Sequence, residues 1–421
     1  MQLLEKTFKL KEHKTTVLTE VVGGITTFFA MAYIIFVNPN FLSQTGMDHT
    51  AVMLATCVSA AIGSLLTAFL ANVPFAQAPG MGLNAFFTYT ICFGMGYTWQ
   101  QGLAIVFISG LIFLAISVSP IRKQIIDSIP APLKAAISAG IGLFICLIGL
   151  LNAGIVTAGN NLLDLSSITS GPALLALIGL IITGILMAWK VKGALFIGIL
   201  VTTVIGIPMG VTNLSNVSIS FEGISVAPTF FKLSFVGLLS KGILPLLTAI
   251  VTFAMCDCFD TVGTLIGTAG SAGMLDENGN LPRGDKALIA DAVATCTGAL
   301  MGTSTVTTFV ESSTGISEGA RTGLSSVVVG ILFLLGCVLA PIAGIIPSAA
   351  TAPALIIVGM FMIGNVAKID WSDVEVALPC FLTIAMMPFA YSISDGIGFG
   401  FISYCIIKIF RGKAKEVPIL M

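Results

Sequence analysis

The sequence predicts an all-α polytopic membrane protein of about fourteen transmembrane spans, arranged as two inverted repeats of seven spans each. Three observations support this fold class: charge is scarce, apolar runs are long, and parts of the first half recur in the second. Of the 421 residues, 56% are hydrophobic and only 9% are charged. A soluble protein contains about 25% charged residues. The surface of this protein is therefore expected to face the hydrocarbon of a lipid bilayer.

The composition also excludes several classes of partner and site. The formal net charge of −1 provides no basic face for nucleic acid. Most of the nine cysteines lie inside apolar runs, where they behave as small hydrophobic residues and not as a disulfide framework. With only His13 and His49 present, a histidine-based metal centre is not expected, and no cofactor is implied.

Apolar runs long enough to cross the membrane divide the chain, since a crossing helix needs about 20 mostly apolar residues. The first set lies near 17–37, 50–71, 80–95, 99–119, 132–151, 172–190 and 193–210. The second set lies near 241–266, 285–301, 323–340, 352–366, 373–391 and 395–411, with 302–322 as a broken crossing of its own. Together these runs give fourteen spans.

The basic residues indicate the orientation of these spans. The first 16 residues are polar and basic, and the apolar run that follows has no small-residue cleavage site, so no cleaved signal peptide is predicted. With fourteen spans and the N-terminus inside, only Lys232 and Lys241 of the 19 Lys and Arg residues fall outside. This strong bias predicts a multi-pass protein of the cytoplasmic membrane with both termini in the cytoplasm.

Short matches in the same order suggest an internal repeat. Ala-Thr-Cys at 55–57 recurs 239 residues later at 294–296, and Pro-Ile at 120–121 recurs 221 residues later at 341–342. Because each half has seven spans, an odd number, the second copy must enter the membrane inverted. Inverted repeats around a site at the membrane midplane are typical of secondary transporters.

Two segments are predicted to interrupt the third and tenth spans. In residues 72–84, Pro74 and Pro79 prevent a continuous helix and favour an extended run followed by a half-helix. In residues 303–315, a hydroxyl-rich and β-branched run is also expected to be extended. Such segments must be buried or line a cavity. Gln77 and Asn84 are therefore candidate substrate-binding residues.

Four acids lie in the apolar runs, where a charge costs a few kcal/mol. Asp257 and Asp260 are three residues apart in the eighth span, and Glu311 and Glu318 lie in the second interruption. Two carboxylates in a medium of low dielectric constant do not easily ionise together. Since no Lys or Arg lies nearby except Arg321, protonation is the expected alternative. All four acids are proton-coupling candidates, and Glu318 could equally cap a half-helix or pair with Arg321.

Four motifs resemble those of the AzgA-like adenine/guanine/hypoxanthine permeases, a branch of the nucleobase–cation symporter-2 (nucleobase–ascorbate transporter) group. They are FAMAYIIFVNP at 29–39, AQAPGMGLNAFF at 76–87, FDTVGT at 259–264 and ESSTGISEGARTGL at 311–324. The resemblance implies a core domain formed by residues 1–120 and 241–340 and a gate domain formed by residues 121–240 and 341–421. It also implies a homodimer through the gate domain.

The resemblance further implies a purine held between the two domains by the eighth span and the two extended segments. The candidate substrate-binding residues are then Asp260, Glu311, Gln77, Asn84, Ala78 and Thr264. The wider group often has a His where this chain has Thr264, so the proton role is placed on the carboxylates. The predicted function is proton-coupled uptake of purine nucleobases by alternating access. Sodium is the less favoured coupling ion, and the preferred purine stays open.

Three other functions fit parts of the pattern less well. An anion transporter of sulfate or carboxylate type is the alternative within the same architecture, but it should have a basic or neutral site. An intramembrane aspartyl protease needs aspartates on two facing helices, whereas Asp257 and Asp260 share one helix. A channel would need rings of charge or a filter repeat, which the sequence does not show.

Overall fold

The structure is a computed structural model, and it describes residues 2–120, 129–159, 162–169, 171–214, 224–276 and 281–418. Helices form most of it, with two short antiparallel strand pairs. The helices of the first half are α1 (Gln2–Phe8), α2 (Val17–Met31), α3 (Ile34–Leu42), α4 (His49–Leu66), α5 (Met81–Ala85), α6 (Trp99–Val118), α7 (Ala131–Asn152), α8 (Gly171–Ala188) and α9 (Ala194–Gly206). Those of the second half are α10 (Ile243–Ser271), α11 (Gly284–Met301), α12 (Ser312–Ser317), α13 (Gly323–Gly336), α14 (Ala340–Ala343), α15 (Ser348–Ile363), α16 (Val374–Phe389) and α17 (Ile393–Phe410).

In the part of the chain that the structure describes, nine helical stretches are long and apolar enough to cross a membrane. They correspond to α2 with α3, α4, α6, α7, α8, α10, α13, α15 and α17. The helices α9 and α16 are apolar but shorter. The protein is thus a multi-pass membrane protein by length and composition of its helices. The first apolar run differs from the prediction, because its helix breaks after Met31 and resumes at Ile34.

Local sequence determines where several helices begin. The side chain of Asp48 accepts a hydrogen bond from the Ala51 N–H at 2.7 Å and caps α4. At α6, Thr98 and Gln101 form a reciprocal capping box. These caps satisfy N–H groups that the first turn of a helix leaves without partners.

Each half of the chain contributes one strand to a pair at the centre. Strand β1 (Gln77–Pro79) pairs antiparallel with strand β4 (Val306–Thr308), with Ala78 opposite Thr307. Both strands are buried. Helix α4 packs against β1, and α11 packs against β4.

A second strand pair forms a separate sheet. Strands β2 (Val156–Gly159) and β3 (Leu162–Leu165) form an antiparallel hairpin between α7 and α8. The all-α prediction omits both strands of this hairpin. The alternation of small and apolar residues there is too short to be distinguished from the end of an apolar helix.

Candidate functional site

The paired strands β1 and β4 have their backbone groups satisfied inside the protein. Beyond the strand pairs themselves, the Gly80 N–H donates to the Thr305 carbonyl and the Phe309 N–H donates to the Ala76 carbonyl, both at 3.0 Å. On the other edge of β1, the Gln77 N–H donates to Ser64 Oγ at 3.0 Å, and that hydroxyl donates to the Gln77 carbonyl at 3.3 Å. This pairing removes the cost of placing extended backbone in a membrane protein.

The Gln77 side chain extends from β1 towards α11 and the end of β4. Its Nε2 donates to Asp291 Oδ1 at 3.2 Å and lies 3.4 Å from Thr308 Oγ1. A Cβ at Gly63 would lie 2.7 Å from Gln77 Oε1, so glycine is needed there for α4 to approach the strand. The amide of Gln77 therefore already connects β1, β4 and α11.

Asn84 and Ala78 occupy different positions relative to the strands. Asn84 lies in α5, directly after β1, and its Oδ1 accepts a hydrogen bond from Ser304 Oγ on the approach to β4. Its Nδ2 is buried without a hydrogen-bond partner. Ala78 is fully buried in the middle of β1. Of these two residues, Asn84 has a donor that a ligand could use.

Glu311 and Asp260 form the acidic part of the site. Tyr33, at the break between α2 and α3, donates its hydroxyl hydrogen to Glu311 Oε1 at 2.7 Å. Glu311 lies three residues after β4 and is half-buried, whereas Asp260 on α10 is exposed. The two carboxylates lie close enough for their charges to interact. Both acids are thus brought to the end of the strand pair.

Asp257 lies on the same helix as Asp260 but in a different environment. It is 1% exposed, and its Oδ2 accepts a hydrogen bond from Thr295 of α11 at 2.8 Å. Asp291, one turn earlier on α11, is fully buried and accepts from Thr308 Oγ1 at 2.9 Å. Although the three-residue spacing puts Asp257 and Asp260 near one face of α10, the fold directs one into the protein and leaves the other accessible.

Thr264 and Glu318 lie outside the two strands, on α10 and after α12. Thr264 is buried one turn after Asp260 on α10. Glu318 follows α12 and forms an ion pair with Lys192 at 2.8 Å. It does not pair with Arg321, whose guanidinium donates to the carbonyls of Ile316 and Ala320. Glu318 therefore forms an ion pair as one of its two predicted roles requires, but its partner is Lys192 and not Arg321.

Comparisons with known proteins identify the family. The model of a family described as "Permease family" matches residues 18–399. The chain belongs to this family. It is 45% identical to the guanine/hypoxanthine permease PbuG of Bacillus subtilis, over 98% of this chain and 96% of that protein. It is 42% identical to the adenine permease AdeP of Escherichia coli, over 99% of this chain and 92% of that protein.

The resemblance predicted from the four motifs is therefore confirmed. A permease moves a solute across a membrane, so this permease is a transporter and not an enzyme. Among solved structures, the transmembrane domain of the cyanobacterial bicarbonate transporter BicA has the same fold, with a TM-score of 0.68 over 91% of this chain and 97% of that chain. The sequence identity is only 16%, so this likeness concerns the fold alone.

Three polar residues of the permease were not predicted as site residues. Asp291 and Glu20 are fully buried acids, and Tyr33 is a buried tyrosine at the break between α2 and α3. Their partners lie far away in the chain: the Tyr33–Glu311 hydrogen bond spans 278 residues, and the Gln77–Asp291 hydrogen bond spans 214. The local sequence carries no signal for the two acids, because Glu20 lies in the first turn of α2 and Asp291 shares α11 with Asp285 and Lys286.

Proposed function

We propose that this permease imports purine nucleobases (adenine, guanine, hypoxanthine or more than one of them) across the cytoplasmic membrane together with protons. The observation that supports this proposal best is the pairing of an accessible carboxylate, Asp260, with Glu311 at the end of the buried strand pair. A purine offers ring N–H donors along one edge, and carboxylates are strong acceptors for them. Relatives at 42% and 45% identity are named as adenine and guanine/hypoxanthine permeases.

Each candidate residue has a defined role in this proposal. Asp260 and Glu311 accept hydrogen bonds from the purine, and the Tyr33 hydroxyl orients Glu311. Asn84 offers its unpartnered Nδ2 to a ring nitrogen or carbonyl of the substrate. Gln77 and Ala78 line the site from strand β1, and Thr264 lines it one helical turn after Asp260 on α10. Asn84 is fully buried, so an incorrectly matched base that leaves its Nδ2 without a partner would bind at a cost.

The proposal includes the finer architecture and the orientation. Fourteen spans form two inverted repeats, and β1 and β4 interrupt the third and tenth spans. Both termini are cytoplasmic. Residues 1–120 and 241–340 form the core, residues 121–240 and 341–421 form the gate, and two copies associate through their gates. Movement of the core past the gate exposes the purine site alternately to the two sides of the membrane.

Coupling to protons provides the driving force in this mechanism. One proton moving through about 100 mV supplies about 2.3 kcal/mol. That free energy sustains roughly fiftyfold accumulation of a neutral substrate. An anion transporter, the alternative within this fold, is disfavoured because two carboxylates at the site would repel an anion.

Uptake of radiolabelled hypoxanthine, adenine and guanine by cells that lack purine carriers tests the proposal. We expect accumulation that a protonophore abolishes, that unlabelled purine inhibits and that replacement of sodium leaves unchanged. Inhibition by sulfate or bicarbonate, with none by unlabelled purine, would support the anion transporter instead. Loss of uptake on sodium removal, with resistance to the protonophore, would assign the coupling to sodium.

A further inference from the structure

A buried pair of aspartates lies behind the strand pair, away from the accessible carboxylates. Asp257 on α10 and Asp291 on α11 are 1% and 0% exposed. They lie close enough for their charges to interact. In the described part of the chain, neither forms an ion pair with Lys, Arg or His. Two buried carboxylates without a cation do not ionise together, because the cost of burying both charges is too high.

Hydrogen bonds around the pair leave one oxygen of each carboxylate free. Thr295 donates to Asp257 Oδ2, and Thr308 and Gln77 donate to Asp291 Oδ1. Asp257 Oδ1 and Asp291 Oδ2 are buried and have no partner that meets hydrogen-bond geometry. A proton on one of these oxygens would neutralise one carboxylate and provide the missing donor. The geometry thus creates a place for a proton.

The pair is connected to the strand that leads to Glu311. Thr295 is one turn after Asp291 on α11, and Thr261 is one turn after Asp257 on α10. Thr261 Oγ1 lies 2.8 Å from Thr307 Oγ1 in β4, and Thr261 also lies near Asp291. Thr307 likewise lies near Asp257. Hydroxyls of β4 therefore contact both carboxylates three to four residues before Glu311.

We propose that the Asp257–Asp291 pair holds the coupled proton, while Asp260 and Glu311 bind the purine. This inference rests on the proposed function and selects one of its four proton candidates together with a residue that the sequence did not suggest. A proton from the external side binds to a free oxygen of the pair, and the same proton leaves to the cytoplasm when the inward-open site admits water, which lowers the cost of ionising both carboxylates. Because β4 contacts both sites, purine binding at its end and protonation behind it favour one another.

Other titratable groups surround the pair but are less suited to this role. Asp260 is exposed on the same helix, and Glu311 already accepts the Tyr33 hydroxyl. The thiols of Cys256 on α10 and Cys296 on α11 are also close enough to interact with Asp257. Glu318 is neutralised by Lys192. The experiment therefore includes thiol variants, C256A and C296A, which should keep wild-type coupling.

The test uses the full-length protein in proteoliposomes and the substitutions D291N and D257N, since asparagine resembles a protonated aspartate in shape. We expect both variants to exchange labelled for unlabelled purine across the membrane within about twofold of wild type. Their accumulation under an imposed proton gradient should fall from the roughly fiftyfold limit for 100 mV to about onefold. Proton influx, followed with a trapped pH indicator, should be lost in parallel.

The matched control is E20Q, because Glu20 is equally buried but both its oxygens accept backbone hydrogen bonds. Any E20Q protein that folds should retain proton-driven accumulation and proton influx. Protonophore-sensitive accumulation by both D291N and D257N would overturn the proposal. If one variant does not yield monodisperse protein, the other decides the question.

A purine-independent measurement separates this inference from the proposed function. Infrared difference spectra between acidic and alkaline pH should show the carbonyl band of a buried protonated carboxyl in wild type and E20Q. The same band should be changed in D257N and D291N and absent from the double variant D257N/D291N, which keeps neither carboxyl. If the wild-type protein does not transport purines but its spectra and those of the variants differ as expected, the proposed function is wrong and the proton site is still supported. If the band persists unchanged in the double variant, the proton site fails whatever the substrate is.

Discussion

Two groups of buried acids differ in how their oxygens are satisfied. Glu20 in α2 is fully buried, and its carboxylate accepts the N–H groups of Arg321, Thr322 and Ser325 at 2.8–3.3 Å. Those groups belong to the start of α13, where the helix dipole also stabilises negative charge. Asp257 and Asp291 instead lie near each other, and one oxygen of each has no partner that meets hydrogen-bond geometry. Burial alone therefore does not distinguish a structural acid from a functional one.

The two sites differ in how completely their hydrogen bonds are formed. Around Glu20, Asn72 strengthens the same junction, because its Oδ1 accepts the Gly323 N–H at 2.9 Å and its Nδ2 donates to the Phe8 carbonyl at 3.0 Å. The junction joins the N-terminal segment, the end of the α4 region and α13 with a complete set of hydrogen bonds. At the aspartate pair the set is incomplete, so a proton can enter or leave without breaking an existing bond.

The largest expected effect tests the structural acid. E20A would leave several N–H groups at the start of α13 buried without an acceptor. We expect this substitution to lower the free energy of unfolding by about 3 kcal/mol, since each buried unsatisfied donor costs 1–3 kcal/mol. Chemical denaturation in detergent would measure the loss. Purine affinity of the folded fraction should not change, and a loss of affinity at unchanged stability would contradict the assignment.

The next effect concerns the accessible acids. E311Q keeps the size of the side chain but removes the charge that the Tyr33 hydroxyl and the purine would share. We expect affinity for the purine to fall roughly thirtyfold, corresponding to about 2 kcal/mol for a hydrogen bond to a charged group. D260N should have a similar effect. Equilibrium binding of labelled purine to purified protein measures both, with E318Q as the control.

The sequence predicted the positions of the two central strands because proline and β-branched residues act locally. Pro74 and Pro79 prevent a helix on one side, and the run of threonines from Thr303 favours extended backbone on the other. The resemblance of four motifs to a known family then selected Asp260 and Glu311. The first prediction depends only on residues that are neighbours in the chain, and the second depends on motifs of a known family.

The partners of the buried groups could not be predicted in the same way. Glu20 lies in the first turn of α2, where an acid is ordinary, and its contact with Ser325 spans 305 residues. Asp291 shares α11 with the charged residues Asp285 and Lys286, so its burial is not evident from that helix alone. Which way Gln77 points depends on the close approach of α4 at Gly63, a tertiary contact. Such contacts exist only once the two halves have been brought together.

A smaller effect is expected at Tyr33, which distinguishes orientation of Glu311 from direct binding of the purine. Y33F removes the hydroxyl that donates to Glu311 and keeps the ring in its buried position. We expect affinity to fall about fivefold, because an ordinary hydrogen bond contributes about 1 kcal/mol. If the hydroxyl acts through Glu311, the double variant Y33F/E311Q should bind no more weakly than E311Q. Additive losses would mean that Tyr33 contacts the purine itself.

The smallest effect is expected at Glu318, the fourth acid proposed from the sequence. Its ion pair with Lys192 joins side chains that are 34% and 54% exposed, so solvent and salt screen it. We expect E318Q and K192Q each to change the transport rate by at most about twofold, as for an exposed pair worth less than 1 kcal/mol. The charge-reversed double variant K192E/E318K should recover the wild-type rate, and high salt should remove the difference among all four proteins. A loss of proton coupling in E318Q that K192Q does not reproduce would contradict this prediction. Glu318 would then belong with Asp257 and Asp291, the acids to which the coupled proton is assigned.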